Sequence, residues 1–366
     1  MESSRCEMDG GDAAAVQGIL DRIRSEGGDG NGRIEAAREI RRLTKTSSKH
    51  RRLLSDAIPP LVSMLRSGSG EHAEVAILAL LNLAVKDERN KIKIVEAGAL
   101  GSLIGFLQFT NPNLREHAAA ALLTLTAASS NKPTISAAGA IPPLIKILRD
   151  GSAQAKIDAV MALYNLSTLP DNITMMLQAK SIPPLINLLK SCKKSSRPGE
   201  RIVALLESML NFDEGRNGLV AEEGGVLALV EVLEEGSLQS KEHAVGALLS
   251  LCESNRCKYR EIILREGVMP GLLELTVRGT PKSQSKSRAL LQLLRNSPYK
   301  RSEFEAADTL ENIVSNIVSK IDHEDRTGKA KKMLAEMVQV SMEQSLRHLQ
   351  KRASLVCTPS EKPSKW

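Results

Sequence analysis

The chain has 366 residues, a formal net charge of +7 and only four Phe, three Tyr and one Trp, so its core must be built from aliphatic side chains. The polar and acidic start, Met1 to Asp12, shows no signal-peptide pattern, and the longest apolar run, Val75 to Val85, is broken by Asn82 and too short to span a bilayer. Five cysteines at irregular spacing (Cys6, Cys192, Cys252, Cys257, Cys357) argue against a disulfide framework and for reduced thiols, so the expected setting is cytoplasmic and/or nuclear, with no membrane insertion.

In chain order, residues 1–32 are Gly-rich and polar and are predicted to be disordered. From Arg33 to Arg52 eight Arg or Lys stand against two Glu. Within this basic stretch Ala36 to Leu43 reads as a helix that caps the array beginning at residue 33. A pattern of about 42 residues then recurs six times, anchored at Ile58, Leu100, Ile141, Ile182, Val226 and Met269. An apolar residue follows each anchor at +3 (Leu61, Leu103, Leu144, Leu185, Leu229, Leu272), which marks one face of a helix.

Two residues before the anchor stands Gly98, Gly139, Gly224 or Gly267, replaced by Asp56 and Lys180 in two units. Glycine there suits the left-handed end of a short helix. Prolines after the anchor (Pro59-Pro60, Pro142-Pro143, Pro183-Pro184, Pro270) fit a first helical turn. Ten residues on, Gly68-Ser69, Gly151-Ser152, Gly236-Ser237 and Gly279-Thr280 read as a stop and an N-cap. The helix that follows carries Leu80, Leu122, Leu163, Leu205, Leu248 and Leu290 at matching positions. Each unit is therefore a short helix, a second helix and a longer third one. A helix-only period of this length points to an armadillo or HEAT solenoid, and three helices favour armadillo.

The fourth unit replaces the Gly-Ser junction with KSCKKSSRPGER, Lys190 to Arg201, a basic stretch expected to protrude. Between Asp213 and Glu242 the balance reverses, with eight acidic residues against two basic. After the array, which ends near residue 300, residues 301–355 hold two amphipathic stretches, Leu310 to Ile321 and Leu334 to Leu349. They read as a C-terminal cap or as a pair that docks on a partner. Residues 356–366 read as a disordered tail.

The run Gly139 to Ser152 (GAIPPLIKILRDGS) with Ala162 to Ser167 (ALYNLS) resembles the armadillo repeats of plant U-box proteins over roughly Arg33 to Ser297. The fold class expected is all-α, an armadillo-repeat right-handed superhelical solenoid. In that family a U-box precedes the array and recruits the ubiquitin-conjugating enzyme, while the array binds substrates or receptor-like kinases. The 32 residues before this array are too few for a U-box, so the resemblance implies a U-box-less, armadillo-only relative. It implies a non-catalytic scaffold or adaptor in plant signalling, whose partners are other proteins: acidic or phosphorylated segments, receptor-like kinases or ubiquitin-pathway proteins. A ligase component, or a regulator of U-box ligases in trans, is the alternative.

Comparison with the importin alpha receptors sets the candidate groove. Their third helices place a Trp four residues before an Asn; here the Asn positions read Asn82, Thr124, Asn165, Glu207, Ser250 and Gln292. The Trp positions read Leu78, Ala120, Met161, Val203, Gly246 and Arg288, so a transport-adaptor groove lacks its aromatic walls. Asn82 and Asn165 either hydrogen-bond the backbone of an extended peptide or bond their own neighbouring helix.

Catalytic and metal chemistry find no foothold. The six His and five Cys show no metal-ligand spacing, no cofactor motif is present, and the basic cluster at Arg38 to Arg52 has no interleaved aromatics to stack nucleic-acid bases. Arg41-Arg42-Leu43-Thr44 and Lys351-Arg352-Ala353-Ser354 resemble basophilic kinase sites, which makes Thr44 and Ser354 candidate phosphate acceptors.

Overall fold

A computed structural model of the chain describes residues 10–25, 30–66 and 70–295. These residues form α-helices and two single-turn 3-10 segments, with no strand among them. The chain divides into two compact units, Met1–Cys192 and Lys193–Trp366, where the sequence reads as one array from residue 33 to 300. The division falls inside the fourth repeat, at its irregular junction.

In the first unit, α1 (Gly10–Arg24) and α2 (Gly30–Thr44) precede the repeats. Then come α3 (Ser48–Leu53), α4 (Ile58–Leu65) and α5 (Gly70–Ala84), followed by α6 (Glu88–Glu96), α7 (Leu100–Phe106) and α8 (Pro112–Thr126). The next triplet is α9 (Lys132–Ala137), α10 (Ile141–Asp150) and α11 (Ala153–Leu166), and the unit closes with α12 (Pro170–Gln178) and α13 (Ile182–Ser191). The second unit holds α14 (Arg197–Met209), α15 (Asp213–Ala221), α16 (Gly225–Glu235), α17 (Leu238–Ser254), α18 (Arg256–Arg265), α19 (Met269–Arg278) and α20 (Pro281–Arg295).

The anchors are where the second helices start. Ile58, Leu100, Ile141, Ile182 and Met269 are the first residues of α4, α7, α10, α13 and α19, and Val226 is the second of α16. Proline stands in the first turn of α4, α10, α13 and α19, where its missing N–H costs nothing. Gly98 and Gly139 enter the left-handed region at φ +83° and +78°, and Lys180 does the same at +56° without glycine's freedom. The guanidinium of Arg149, from the preceding repeat, reaches that turn and donates to the carbonyls of Ala179 and Lys180 at 3.2 and 3.1 Å. Ser152, Ser237 and Thr280 cap the third helices by accepting from the N–H three residues on.

Third helices carry most of the core. In the first unit α2 packs on α5, α5 on α8 and α8 on α11; in the second α14 packs on α17 and α17 on α20. Leu80, Leu122 and Leu163 in one unit, and Leu205, Leu248 and Leu290 in the other, are at most 3% exposed. Truncating such a leucine costs about 2–5 kcal/mol.

Two expectations need correcting. Residues 1–32 are not uniformly without structure, because α1 lies among them. Val16, Ile19, Leu20 and Ile23 share one helical face and are buried, and the helix packs on α2 and α4. The stretch Lys190 to Arg201 does not protrude as a loop either. It is mostly the end of α13 and the start of α14, and in its short link Lys194 is buried, its ammonium 3.5 Å from the Glu231 carboxylate. The amphipathic stretches of 301–355, the tail 356–366 and the Gly68-Ser69 junction lie outside the described residues.

A buried asparagine ladder escapes the sequence reading. Asn90, Asn131 and Asn172 recur at intervals of 41 residues and are 2–3% exposed. Each donates its side-chain N–H to a carbonyl at the end of the preceding third helix: Leu83 at 3.0 Å, Leu125 at 3.2 Å and Leu166 at 2.8 Å. Asn90 and Asn131 also reach the repeat before, at Arg51 and Lys91. Carbonyls at the end of each third helix thus gain a side-chain donor from within the next repeat.

Candidate protein-binding face

The six positions singled out in the sequence fall on successive third helices. Asn82, Thr124 and Asn165 lie on α5, α8 and α11 of the first unit; Glu207, Ser250 and Gln292 lie on α14, α17 and α20 of the second. Within each unit, side chains at one position of stacked helices form a row. Four residues before it in the first unit, Leu78, Ala120 and Met161 are half-buried, giving the row an apolar edge.

Asn82 donates from Nδ2 to the Arg41 carbonyl at 2.8 Å, and Asn165 from Nδ2 to the Thr126 hydroxyl at 3.1 Å. Both amide N–H groups therefore bond the third helix before their own. Thr124 bonds back to the Ala120 carbonyl at 2.9 Å, and Ser250 donates to the Leu210 carbonyl at 3.2 Å. Gln292 is exposed.

Acidic groups gather towards the start of the same helices in the first unit. The Glu116 carboxylate accepts from the Ser152 hydroxyl at 2.6 Å, and the buried Asp158 accepts from Gln154 Nε2 at 3.0 Å. Burial pushes the Asp158 carboxyl above its ordinary value; the Gln154 hydrogen bond opposes this and the Glu116 charge adds to it. His117 Nδ1 stands 3.9 Å from Glu74.

In the second unit the charges are paired. Glu207 faces His243 Nδ1 at 2.6 Å and accepts from Lys286 Nζ at 2.7 Å. Burial alone would raise the Glu207 carboxyl, but hydrogen bonds and charge from His243 and Lys286 outweigh it and hold the group below its ordinary value.

Burial pushes the Cys252 thiol up to about 11, which makes it an inert core thiol. Among the described residues no group of three His, Cys, Asp or Glu side chains is placed to hold a metal ion, and no helix is long and apolar enough to cross a membrane. Thr44 is fully buried and its hydroxyl donates to the Ile40 carbonyl at 2.6 Å, so the folded chain withholds it from a kinase. Ser354 lies outside the described residues.

Comparison with known proteins places the chain. The model of the plant U-box protein ARM repeat region matches residues 15–314. Relatives include U-box domain-containing protein 45 of Arabidopsis thaliana, 31% identical over 264 residues, and U-box domain-containing protein 9 of the same plant, 36% identical over 272 residues. The matches cover 70% and 72% of this chain but only 34% and 58% of those proteins. Among solved structures, an engineered protein superposes with a TM-score of 0.67 at 22% identity, covering 91% of this chain and 79% of its own. A chain solved in work on a phosphorylation switch between cadherin and beta-catenin gives 0.68 at 18% identity, covering 79% of this chain and 54% of its own. These two likenesses concern the fold. With punctuation, three-helix repeats and sequence match in agreement, the chain belongs to the family of plant U-box protein ARM repeat regions.

Proposed function

We propose that the chain is a non-catalytic scaffold or adaptor that binds other proteins on its third-helix faces, in plant signalling linked to ubiquitination or to receptor-like kinases. The observation that carries this reading is the row Asn82, Thr124 and Asn165 on α5, α8 and α11, edged by half-buried Leu78, Ala120 and Met161. Polar groups at regular spacing beside an apolar strip suit an extended segment, which presents backbone and side-chain groups at regular spacing too. Each carboxamide spends a donor on the helix before it, and its oxygen keeps the capacity to accept a backbone N–H from a bound chain.

The test is proximity labelling in plant tissue with the full chain, compared with Asn82→Ala/Asn165→Ala. Loss of a defined set of partners in the variant supports recognition on this row, and an unchanged set overturns it. Autoubiquitination with a panel of conjugating enzymes tests the non-catalytic part: clear activity of the purified chain would refute it.

A further inference from the structure

Glu207 occupies on α14 the place that Asn82 and Asn165 hold on α5 and α11. Its side chain is 24% exposed, with His243 at 21% and Lys286 at 31%. Lys286 comes from 79 residues further along the chain, on α20, so its side chain crosses the intervening third helix, α17, to reach Glu207 on α14. The crossing is made at Gly246. A Cβ there would overlap Glu207 Oε1 and come within 2.5 Å of Lys286 Nζ, so the carboxylate and the ammonium meet directly over bare backbone. Gly246 stands four residues before Ser250 of the polar row, and the ion pair fills the space its missing side chain leaves.

We propose that Glu207 and His243 form a subsite for an arginine side chain of a bound partner segment, filled in cis by Lys286 until an arginine displaces it. The inference rests on the third-helix face being a docking face. Charge complementarity selects the occupant. An anionic group taking Lys286 and His243 would strand a partly buried carboxylate, whereas a cation keeps Glu207 paired and returns Lys286 to water. Between cations, the guanidinium has the advantage. Its planar fork can give two N–H groups to one carboxylate and it is weakly hydrated, while the released ammonium recovers a strong hydration shell. His243, hydrogen-bonded through Nδ1, keeps the carboxylate oriented, and Gln239 Nε2 stands 3.4 Å from the other ring nitrogen.

Fluorescence anisotropy of the full chain with a labelled peptide of alternating arginine and serine tests this. Lys286→Met should bind about tenfold or more tightly than the unmodified chain, the scale of one charge-assisted hydrogen bond freed for the ligand. Glu207→Gln in the Lys286→Met background should abolish the gain, and a lysine–serine peptide should gain less. An unchanged Kd in Lys286→Met, or a gain that survives Glu207→Gln, overturns the proposal. Thermal melts check that the variants fold, and Lys286→Gln, which removes the charge while keeping a polar chain, serves if Lys286→Met does not. Glu207 and Lys286 variants read the subsite alone, while Asn82 and Asn165 variants read the scaffold, so one can fail without the other.

Discussion

Lys180 does with an ordinary side chain what glycine does at Gly98 and Gly139, holding φ at +56°. The left-handed region costs a residue bearing a Cβ about 1–2 kcal/mol, part of which glycine gives back through its freer unfolded state. Lys180→Gly should therefore raise the urea midpoint by the equivalent of about 0.5–1 kcal/mol, while Lys180→Val should lower it. Two carboxyls give opposite pH signatures. Asp158 is raised above its ordinary 3.8, so the folded chain holds its proton longer, and folding loses stability as pH climbs past that value. Asp158→Asn keeps an oxygen for Gln154 and should melt higher at neutral pH, with the gain fading below 3.8. Glu207 is lowered from 4.5, so its contribution is complete above 4.5 and is lost as pH falls through the folded value. Glu207→Gln should melt lower at neutral pH, and the deficit should shrink in acid. Melts across the acidic range decide both, and a deficit that stayed constant with pH would contradict the role of the Glu207 charge.

At the scale of elements, what the sequence reveals is punctuation. Proline after the anchor, joined before it by glycine in α10 and α19, acts through the backbone of its own turn, so α4, α10 and α19 begin where local rules place them. The same locality explains the failures. α1 is a 15-residue amphipathic helix beginning at a glycine pair, and its burial depends on α2 and α4 being there to cover Ile19 and Ile23. Lys194 looks like a solvated loop lysine until Glu231, 37 residues on, supplies a carboxylate. Of the six row positions, Asn82 and Asn165 are legible as a pair, but the bridge from Glu207 to Lys286 over Gly246 has no local signature at all. The asparagine ladder was recoverable, since a polar residue repeating at 41 inside short helices is unusual for a solvated face. Asn131→Ala removes the amide donor shared by the carbonyls of Leu125, at the buried end of α8, and of Lys91, in the repeat before. A loss of about 1–3 kcal/mol in chemical denaturation is expected, against a few tenths for an exposed polar residue such as Asn113.

On the scale of the whole molecule, a repeat chain separates stability from specificity. Turn glycines, capping serines, helix-end asparagines and leucines at matching positions are spent on stacking one repeat against the next, and they leave the exposed rows free to vary. That is why the family is legible across the chain while the partner is not. It also sets how damage should spread. In a stack, each repeat is stabilised by its immediate neighbours, so a cavity acts locally before it acts globally. Leu122 sits on α8, which packs against α5 on one side and α11 on the other. Leu122→Ala should cost about 2–5 kcal/mol, and its first effect should be faster amide exchange in α5, α8 and α11. The helices α1 and α2 lie beyond one of those neighbours and should keep more of their protection. Exchange measured by mass spectrometry on the full chain resolves the two ends of the first unit. A uniform rise from α1 to α11 would mean that the unit opens as a single cooperative block, and the neighbour-by-neighbour account of its stability would then be wrong.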